Sequence, residues 1–394
     1  SAVPGCLEHA FTLYEALRNA KESRKQIVVA WIDLANAYGS VRHNLIQFAL
    51  NWYHVPHSIQ KLIFDYYEKL MAKVQTSEWS TGFFLFDIGL FQGCVLSTIL
   101  FDVVFQLLLD LLQPLNEDLG YKIKNISYTK LTRAYADDLA FSAKTTDGLQ
   151  KACDMAGKFL SWTKTMKAKP RKCIAVGFRQ FDKRTDSGRF VPHFNLTYAP
   201  FDPKVTISGH RMKFLVDESK PVDPSVSLLR DHFKFLGRWI SIDLNEFKVN
   251  HFLKTRFMEE VNLVEKTRLT GFMKLWLYQH YLLAHLAWPF LIQDLTMSFA
   301  KELESSISMT LKRWAGLYRG ADTGSLFRSR ANCGLGLTSV SHFFCKMQLI
   351  KCSLLEKSND PTLNDVYDLK SKKTSRWKVK WSVNRIFKAI SADV

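Results

Sequence analysis

The chain has 394 residues, of which 47% are apolar and 13% aromatic, so it can bury a large core and general disorder is excluded. Its 54 basic and 37 acidic side chains give a net charge of +17, which is typical of proteins that bind a polyanion, although charge that serves solubility alone is the alternative. The seven cysteines are odd in number and include no Cys-x-x-Cys, which argues against a disulfide framework and for a reducing, intracellular compartment.

Two apolar stretches raise the question of a membrane. Residues 99–112 and 275–291 are each shorter than the ~20 residues that cross a bilayer, and each carries polar side chains. They predict buried helices and no membrane partner. The chain begins at Ser1 without a signal-like segment, so we expect a piece of a longer protein.

The first predicted elements are a helix and a buried strand. Residues 1–25 have the apolar spacing of an amphipathic helix. The apolar run 26–32 then ends on Asp33, and a run of this kind predicts a strand buried on both faces. Asp33 would lie at the end of that strand. Helices separated at Pro56 are predicted over 40–75.

Residues 74–86 alternate loosely and predict a hairpin, which leads into Phe91-Gln92-Gly93. Glycine allows close approach of the backbone to a ligand, and the Gln amide can form hydrogen bonds with a base pair. Ser97 is predicted to cap the helix that follows. On that helix, polar residues recur every fourth position and predict one polar stripe: Asp102, Gln106 and Asp110.

The strongest chemical signal is the stretch 131–142, in which two short strand-like runs meet at Asp137 and Asp138. This pattern predicts a tight β-hairpin with both acids at its tip. A solvated turn is the alternative. Together with Asp33, these carboxylates could hold two divalent cations of the kind that clamp the attacking and leaving oxygens in phosphoryl transfer.

The rest of the chain is predicted to be a helix, irregular hairpins and then more helices. Residues 147–167 predict a helix with a buried set: Leu149, Ala152, Met155, Ala156, Phe159, Leu160 and Trp162. Basic residues crowd 167–172 before the strand 173–176. Residues 177–232 predict an irregular, hairpin-rich insertion, and from Leu244 to about Lys357 the chain is predicted to be helical.

Three motifs in order resemble those of a reverse transcriptase of the non-LTR retrotransposon type, related to group II intron reverse transcriptases. They are Asp33 with Tyr38 five residues later, Phe91-Gln92-Gly93, and Tyr135-Ala136-Asp137-Asp138. They resemble motifs A, B and C, and together they are far more specific than any one of them. The resemblance implies an RNA-directed DNA polymerase that copies an RNA template onto a DNA primer, in retrotransposition by target-primed synthesis.

The implied fold is α+β, a right-hand polymerase palm with a mixed or antiparallel sheet, followed by an α-helical thumb. The fingers are expected to be largely absent from this chain. Four regions are predicted: a palm with the tail of the fingers over 1–176, a hairpin-rich insertion with a primer-grip-like hairpin over 177–243, the thumb over 244–357, and a basic C-terminal extension or linker over 358–394. In the thumb we expect a basic face for a nucleic-acid duplex, comprising Lys312, Arg313, Arg319, Arg328 and Arg330.

The resemblance also implies residue roles. Asp33, Asp137 and Asp138 would be catalytic, with two Mg²⁺ ions, replaceable by Mn²⁺, held by Asp33, Asp137 and the Leu34 backbone carbonyl. The nucleotide-binding residues would be Tyr38, Gln92, Gly93 and Lys172, with the Tyr38 ring excluding a ribose 2′-hydroxyl. The primer grip would be Phe235, Leu236 and Gly237. For Tyr38 an ordinary half-buried tyrosine, and for Lys172 a solvated charge cluster, remain open as alternatives.

The implied partners are an RNA template, a DNA primer or target, dNTPs, and other domains or chains that supply fingers and an endonuclease, with the nucleus as the compartment. Two other functions remain open. One is a non-catalytic, maturase-like or scaffold RNA-binding protein that retains the polymerase fold. The other is a template-independent or telomere-type polymerase, which shares the palm.

Overall fold

A computed structural model describes residues 5–85, 88–123, 126, 131–181, 197–214, 232–241, 244 and 247–373. The chain divides into two compact units, one formed by residues 19–217 and the other by residues 1–18 with 218–394. We call them the sheet unit and the helical unit. The first helix, α1 (Cys6–Glu22), contributes residues to both.

The sheet unit contains a five-stranded antiparallel sheet with the order β4-β5-β1-β6-β7. Its strands are β1 (Ile27–Ile32), β4 (Thr132–Tyr135), β5 (Asp138–Ala143), β6 (Ile174–Phe181) and β7 (Thr197–Phe201). Two small ribbons accompany it, β2 (Met71–Ala72) with β3 (Phe84–Leu85), and β8 (Thr206–Ile207) with β9 (His210–Arg211). β1 is central and all six of its residues are buried, as its unbroken apolar run predicts.

Helices cover one face of this sheet. They are α2 (His43–Trp52), α3 (His57–Glu68), α4 (Val95–Leu112), α5 (Asn116–Leu119) and α6 (Thr146–Thr163). Val28, Ala30 and Ile32 of β1 share one core with α2, α4 and α6. The polar stripe of α4 is confirmed, because Asp110 accepts hydrogen bonds from Tyr53 (2.7 Å) and Gln106 (2.6 Å) at its edge.

Three predictions about these elements are corrected. The helix cap of α4 is Cys94, and Ser97 lies buried in the first turn, so Ser97 is not the cap. Trp162 was placed in the buried set of α6, yet it is 51% exposed while Leu160 and Thr163 beside it are buried, so it lies at the margin of the buried face. The boundary after residue 176 falls inside β6, and β7 extends the same sheet, so sheet residues continue through Phe201.

Besides its part of α1, the helical unit contains one hairpin and seven α-helices among its described residues. The hairpin pairs β10 (His232–Phe235) with β11 (Arg238–Ser241). The helices are α7 (Phe247–Lys266), α8 (Gly271–Leu277), α9 (Leu283–Ile292), α10 (Met297–Trp314), α11 (Gly324–Phe327), α12 (Val340–Glu356) and α13 (Pro361–Lys373). α10 ends as its sequence predicts, with Gly316 at φ 70° and the Leu317 amide donating to the Lys312 carbonyl at 2.9 Å.

One helical segment in the described ranges, 95–119, has the length and apolarity of a membrane span. It is longer than the predicted stretch 99–112. In the structure Phe101, Val104 and Leu108 of this segment lie fully buried in the core of the sheet unit. Most of the basic extension, residues 374–394, and parts of the insertion, 182–196 and 215–231, lie outside the described residues.

Candidate active site

Asp33 follows β1 directly and is fixed by the segment that precedes β6. Its carbonyl accepts a hydrogen bond from the Lys169 amide at 2.8 Å, and the Ala35 amide donates to the Lys167 carbonyl at 2.8 Å. These two bonds flank a bridge between Leu34 and Ala168. The pairing therefore does not use the Leu34 carbonyl, the group predicted to complete a metal site.

Lys172 lies beside this acid, with its Nζ 3.7 Å from Asp33 Oδ2. Both side chains keep solvent exposure, 61% and 37% respectively, so the pair contributes little to stability. The pair matters because of where it places the two side chains. The structure brings the predicted nucleotide-binding lysine to the predicted metal ligand, although 138 residues separate them in the chain.

Asp137 and Asp138 lie at the tip of the predicted hairpin, which is confirmed. Tyr135 pairs with Asp138 across β4 and β5, so Ala136 and Asp137 form a two-residue turn. Ala136 has φ 50°, a left-handed conformation that residues with a side chain seldom adopt. Strain of this kind often occurs at functional sites, where it fixes the direction of neighbouring side chains.

The register of β1 against β5 brings the acids to one edge of the sheet. Ile32 pairs with Leu139 in this antiparallel pair, so Asp33, which follows Ile32, faces Asp138, which precedes Leu139. Opposite residues of an antiparallel pair have Cα atoms about 4.5–5.5 Å apart. Both strand ends thus deliver a carboxylate to the same place, with Asp137 adjacent.

The electrostatics of Asp138 reflect this crowding. Partial burial raises the pKa of its carboxyl above the ordinary 3.8, and the negative charges of Asp137 and then Asp33 raise it further. A cluster of carboxylates that repel one another is stabilised by a cation.

We expect Asp138→Asn to raise the thermal midpoint of the metal-free protein at pH 7.5. The folded pKa lies above the unfolded one, so the ionised carboxyl lowers stability at neutral pH and an amide removes that cost. The gain should shrink as the pH falls through the raised pKa towards 3.8, because the wild-type carboxyl then becomes protonated. Thermal unfolding at several pH values, with Asp118→Asn as the control, measures this. A lower midpoint for Asp138→Asn at pH 7.5 would contradict the electrostatic account.

The chemistry of these side chains fits a divalent cation. Oxygen ligands suit Mg²⁺ and Mn²⁺, and Mg²⁺ is commonly held by one or two protein carboxylates together with substrate phosphates and water. Within the described ranges no group of three His, Cys, Asp or Glu side chains is arranged as a complete protein-only cage.

Tyr38 lies next to these acids, at the start of a 3₁₀ turn (Tyr38–Ser40). Its ring stacks on Phe101, with centroids 4.6 Å apart and planes 9° from parallel. Partial burial raises the pKa of its hydroxyl, and the charges of Asp102 and Asp137 add to the rise. The hydroxyl is therefore protonated at neutral pH, and the stacked Phe101 holds the ring within electrostatic range of the hairpin tip.

Gln92 and Gly93 form an exposed turn just before α4, with Gly93 at φ 93°. The segment before them pairs with the loop that follows Asp33, because the Leu90 amide donates to the Tyr38 carbonyl at 2.9 Å and the Gly89 amide to the Val41 carbonyl at 2.8 Å. This pairing ties the Gln92 turn to the Tyr38 loop.

Two glycines make that pairing possible, and sequence reasoning missed both. Gly89 has φ 101°, and a Cβ there would lie 3.0 Å from the Gly39 Cα. A Cβ on Gly39 would overlap the Asn36 side chain. The close approach of the two backbones disfavours a side chain at Gly89, and the Asn36 side chain occupies the space that a Cβ on Gly39 would need. A glycine just before Phe91-Gln92 was the only available signal.

The predicted primer-grip residues lie in the helical unit. Phe235 is the last residue of β10, and Leu236 and Gly237 form a two-residue turn with φ 47° and 85°, the conformation that tight hairpins favour. A Cβ on Gly237 would overlap the Trp288 indole. A cavity of about 290 Å³ adjoins this turn, with Lys234, Trp239, Arg256 and Glu260 among its lining residues.

A buried ion cluster supports this hairpin, and sequence reasoning missed it too. Arg238 is 1% exposed, stacks over the Tyr14 ring at 3.5 Å, and lies 3.5 Å from Asp294. Lys351 (3.3 Å) and Arg18 (3.9 Å) also approach Asp294. Asp294 thus lies within 4 Å of three cations, of which Arg18 also pairs with Glu15 at 3.8 Å. A charged residue after Leu-Gly was the only sequence signal.

The predicted basic face of the thumb is smaller than expected. Lys312 is buried, Arg313 pairs with Glu265 at 3.0 Å, and Arg328 pairs with Asp322 at 2.7 Å. Among the described ion pairs none involves Arg319 or Arg330, and both are exposed. Lys312 is therefore a wrong prediction, because its position on α10 faces the core.

The antiparallel sheet, the carboxylates at its edge and the order of the motifs define a polymerase palm, and comparison with known proteins agrees. Residues 3–240 match the reverse transcriptase (RNA-dependent DNA polymerase) family. The match covers more than half of the chain, so the chain belongs to that family. The predicted palm, helical region and enzyme class are those of an RNA-directed DNA polymerase.

Among curated proteins, the chain is similar to Pol polyproteins of R2 retrotransposable elements, which confirms the predicted non-LTR retrotransposon type. It is 30% identical over 175 residues to the retrovirus-related Pol polyprotein from type-2 retrotransposable element R2DM of Drosophila melanogaster, covering 44% of this chain and 16% of that protein. It is 25% identical over 236 residues to the Pol polyprotein from type-1 retrotransposable element R2 of Bradysia coprophila, covering 60% of this chain and 24% of that protein.

The chain thus spans roughly a sixth to a quarter of these relatives. One solved structure that resembles it is telomerase from Candida albicans in complex with a TWJ fragment of telomeric RNA, with a TM-score of 0.33 and 12% identity over 96% of this chain and 52% of that one.

Proposed function

We propose that the protein containing this chain copies an RNA template onto a DNA primer, with Asp33, Asp137 and Asp138 as its catalytic carboxylates. The observation that carries the proposal is the strand register, which places Asp33 opposite Asp138 at the hairpin tip. The R2 relatives support retrotransposition by target-primed synthesis as the setting, and a nuclear location follows from that setting.

Two Mg²⁺ ions, replaceable by Mn²⁺, fit this edge of the sheet. Asp33, Asp137 and the Leu34 carbonyl would hold them, and Asp138 would add negative charge without direct contact. When bound, such ions activate the primer 3′-hydroxyl and balance the charge of the triphosphate. Lys172, 3.7 Å from Asp33, is suited to approach the leaving pyrophosphate.

The remaining contacts position substrates. The Gln92 amide and the Gly93 backbone would face the incoming dNTP, and the Phe235-Leu236-Gly237 turn would hold the primer end. In the helical unit, Phe272 (74% exposed), Trp276 (55%) and Tyr318 (75%) present large aromatic surfaces, and Tyr318 directly precedes the exposed Arg319. Such a surface suits the minor groove of an A-form duplex, which is contacted through sugars and phosphates. Other domains would supply the fingers and an endonuclease.

We expect Tyr38→Val to raise the incorporation of ribonucleotides relative to deoxynucleotides, by an amount on the order of 10-fold to 100-fold. The Phe101 stack fixes the ring, so valine would leave room for a 2′-hydroxyl. Single-nucleotide insertion with rNTP and with dNTP measures the ratio of the two rates. Tyr53→Phe is the control, because the Tyr53 hydroxyl donates to Asp110 at 2.7 Å near the C-terminal ends of α2 and α4. An unchanged ratio would exclude the steric role.

We also expect template–primer affinity to fall steeply with salt, because each phosphate contact releases counterions. The excess of basic side chains, a net charge of +17, would supply these phosphate contacts. Fluorescence anisotropy of a labelled template–primer between 50 and 200 mM salt tests this, with a loss of roughly 10³-fold for about six contacts. A flat affinity would count against the basic surface, whereas tight binding without nucleotide addition would favour the non-catalytic RNA-binding alternative.

A further inference from the structure

Three exposed aromatic rings form one cluster on the sheet unit. Phe48 and Trp52 on α2 are 44% and 60% exposed, and Trp162 at the end of α6 is 51% exposed. The Phe48 ring lies 6.2 Å from Trp52 at 18° and 5.2 Å from Trp162 at 69°. Exposed apolar side chains are usually scattered singly, and a cluster of large rings indicates a binding surface.

Packing against the core holds the side chains of this cluster in place. Phe159, which is only 6% exposed, lies 5.7 Å from Trp162 and anchors it to the core. Phe48 and Trp52 stand one helical turn apart on α2, beside the face that is buried through Leu45, Ile46 and Ala49. The rings therefore keep fixed positions without a ligand.

A run of positive charge begins beside this cluster. Between residues 155 and 172 there are six basic side chains and no acid, and all six are exposed: Lys158, Lys164, Lys167, Lys169, Arg171 and Lys172. Lys158 lies one turn before Trp162 on the same face of α6, and Lys164 caps the end of that helix. Among the described residues, Lys172 with Asp33 is the one ion pair that involves this run.

The run leads from the aromatic cluster to the catalytic edge. Its loop, 164–172, is tied to the end of β1 by the Lys169 amide on the Asp33 carbonyl and by the Ala35 amide on the Lys167 carbonyl, each at 2.8 Å. Lys172 then lies 3.7 Å from Asp33. The charge and the rings thus belong to one continuous, backbone-anchored track.

We propose that Phe48, Trp52, Trp162 and the basic residues of 158–171 form a binding surface for single-stranded nucleic acid that leads away from the proposed catalytic carboxylates. Bases stack on exposed aromatic faces while lysine and arginine side chains follow the phosphates, a combination that tolerates any sequence. An acidic protein surface would satisfy the charges but would leave the flat rings without stacking partners. This surface goes beyond nucleotide addition, since it needs neither metal nor dNTP.

The test is binding of fluorescein-labelled 16-nucleotide single strands, RNA and DNA in separate arms, to the full chain without metal. We expect Trp52→Ala/Trp162→Ala to weaken binding about 10-fold or more, since each stacked base contributes substantially. Trp79→Ala is the matched control, because Trp79 is 55% exposed on the same unit but lies outside this track. Lys158→Gln/Lys164→Gln/Lys167→Gln should lower the slope of log affinity against log salt by about 2, whereas Lys61→Gln/Lys69→Gln/Lys122→Gln should not.

Unchanged affinity in the double tryptophan variant, or an equal loss in the Trp79→Ala control, would overturn the proposal. Cross-linking of 4-thiouridine-containing strands, mapped by mass spectrometry, adds a readout that does not depend on total affinity. Cross-links in the peptides that contain Trp52 or Trp162 support the surface, and their absence while other peptides cross-link overturns it. The proposal can fail while nucleotide addition is intact, and it can hold if nucleotide addition fails.

Discussion

Asp33→Asn is expected to lower the rate of RNA-templated nucleotide addition by roughly 10²–10³-fold, comparable to the loss of other preorganised electrostatic groups in enzymes. The amide keeps the shape of the side chain but removes the charge that faces Asp138 across the β1–β5 register. It also removes the partner of Lys172. Single-turnover addition of one dNTP to a bound primer measures the rate.

Two controls make this result specific. Asp118→Asn neutralises an exposed acid on α5 of the same unit and should leave the rate unchanged. Template–primer affinity should be nearly the same in both variants, because the proposed role of Asp33 is in nucleotide addition and not in binding the nucleic acid. A rate for Asp33→Asn within a factor of two of the wild type would remove Asp33 from the catalytic set.

Asp294→Ala is expected to destabilise the helical unit by about 3–5 kcal/mol, the range for breaking one side of a buried ion pair. Arg238 is 1% exposed and would lose its counterion while remaining in the core, and Lys351, which is 9% exposed, would lose the same partner. Asp294 itself is 23% exposed, so water can offset part of the loss and the lower end of the range is the expectation. Urea unfolding followed by tryptophan fluorescence measures the change.

The matched control is Glu302→Ala, which removes the ion pair between Lys254 and Glu302 on the surface of the same unit. Exposed pairs contribute at most about 1 kcal/mol. If the free energies of unfolding lost by the two variants differ by less than 1 kcal/mol, Asp294 does not stabilise the cluster. The comparison matters for the site, because Arg238 follows the Leu236-Gly237 turn directly.

The edge of the sheet that carries Asp33, Asp137 and Asp138 was predictable because local patterns encode it. An unbroken apolar run before Asp33 predicts a central buried strand, and strand-like runs around Asp137-Asp138 predict a tight hairpin; both are present. The sheet is antiparallel, and its register places the end of β1 opposite the hairpin tip, which brings the acids together. That register depends on how two strands pair, so the pattern of a single strand does not predict it.

The features that were missed depend on contacts between distant residues. Gly39 and Gly89 are 50 positions apart, and only the folded chain shows that their backbones touch. The Arg238–Asp294 pair likewise looks like two ordinary surface charges in sequence. Helical spacing assigned Trp162 to the core, but Trp162 lies at the margin of the buried face of α6, where spacing alone does not separate buried from exposed side chains.

The measurement that tests the central claim most directly is primer extension on an RNA template with Mg²⁺ and dNTPs. The wild type is compared with the Asp137→Ala/Asp138→Ala double variant in the longest protein that contains this chain. The account predicts extension by the wild type, loss of extension in the double variant, and equal template–primer binding by both. No extension by either protein, with tight binding of structured RNA by both, would contradict it and would identify an RNA-binding protein that retains the polymerase fold.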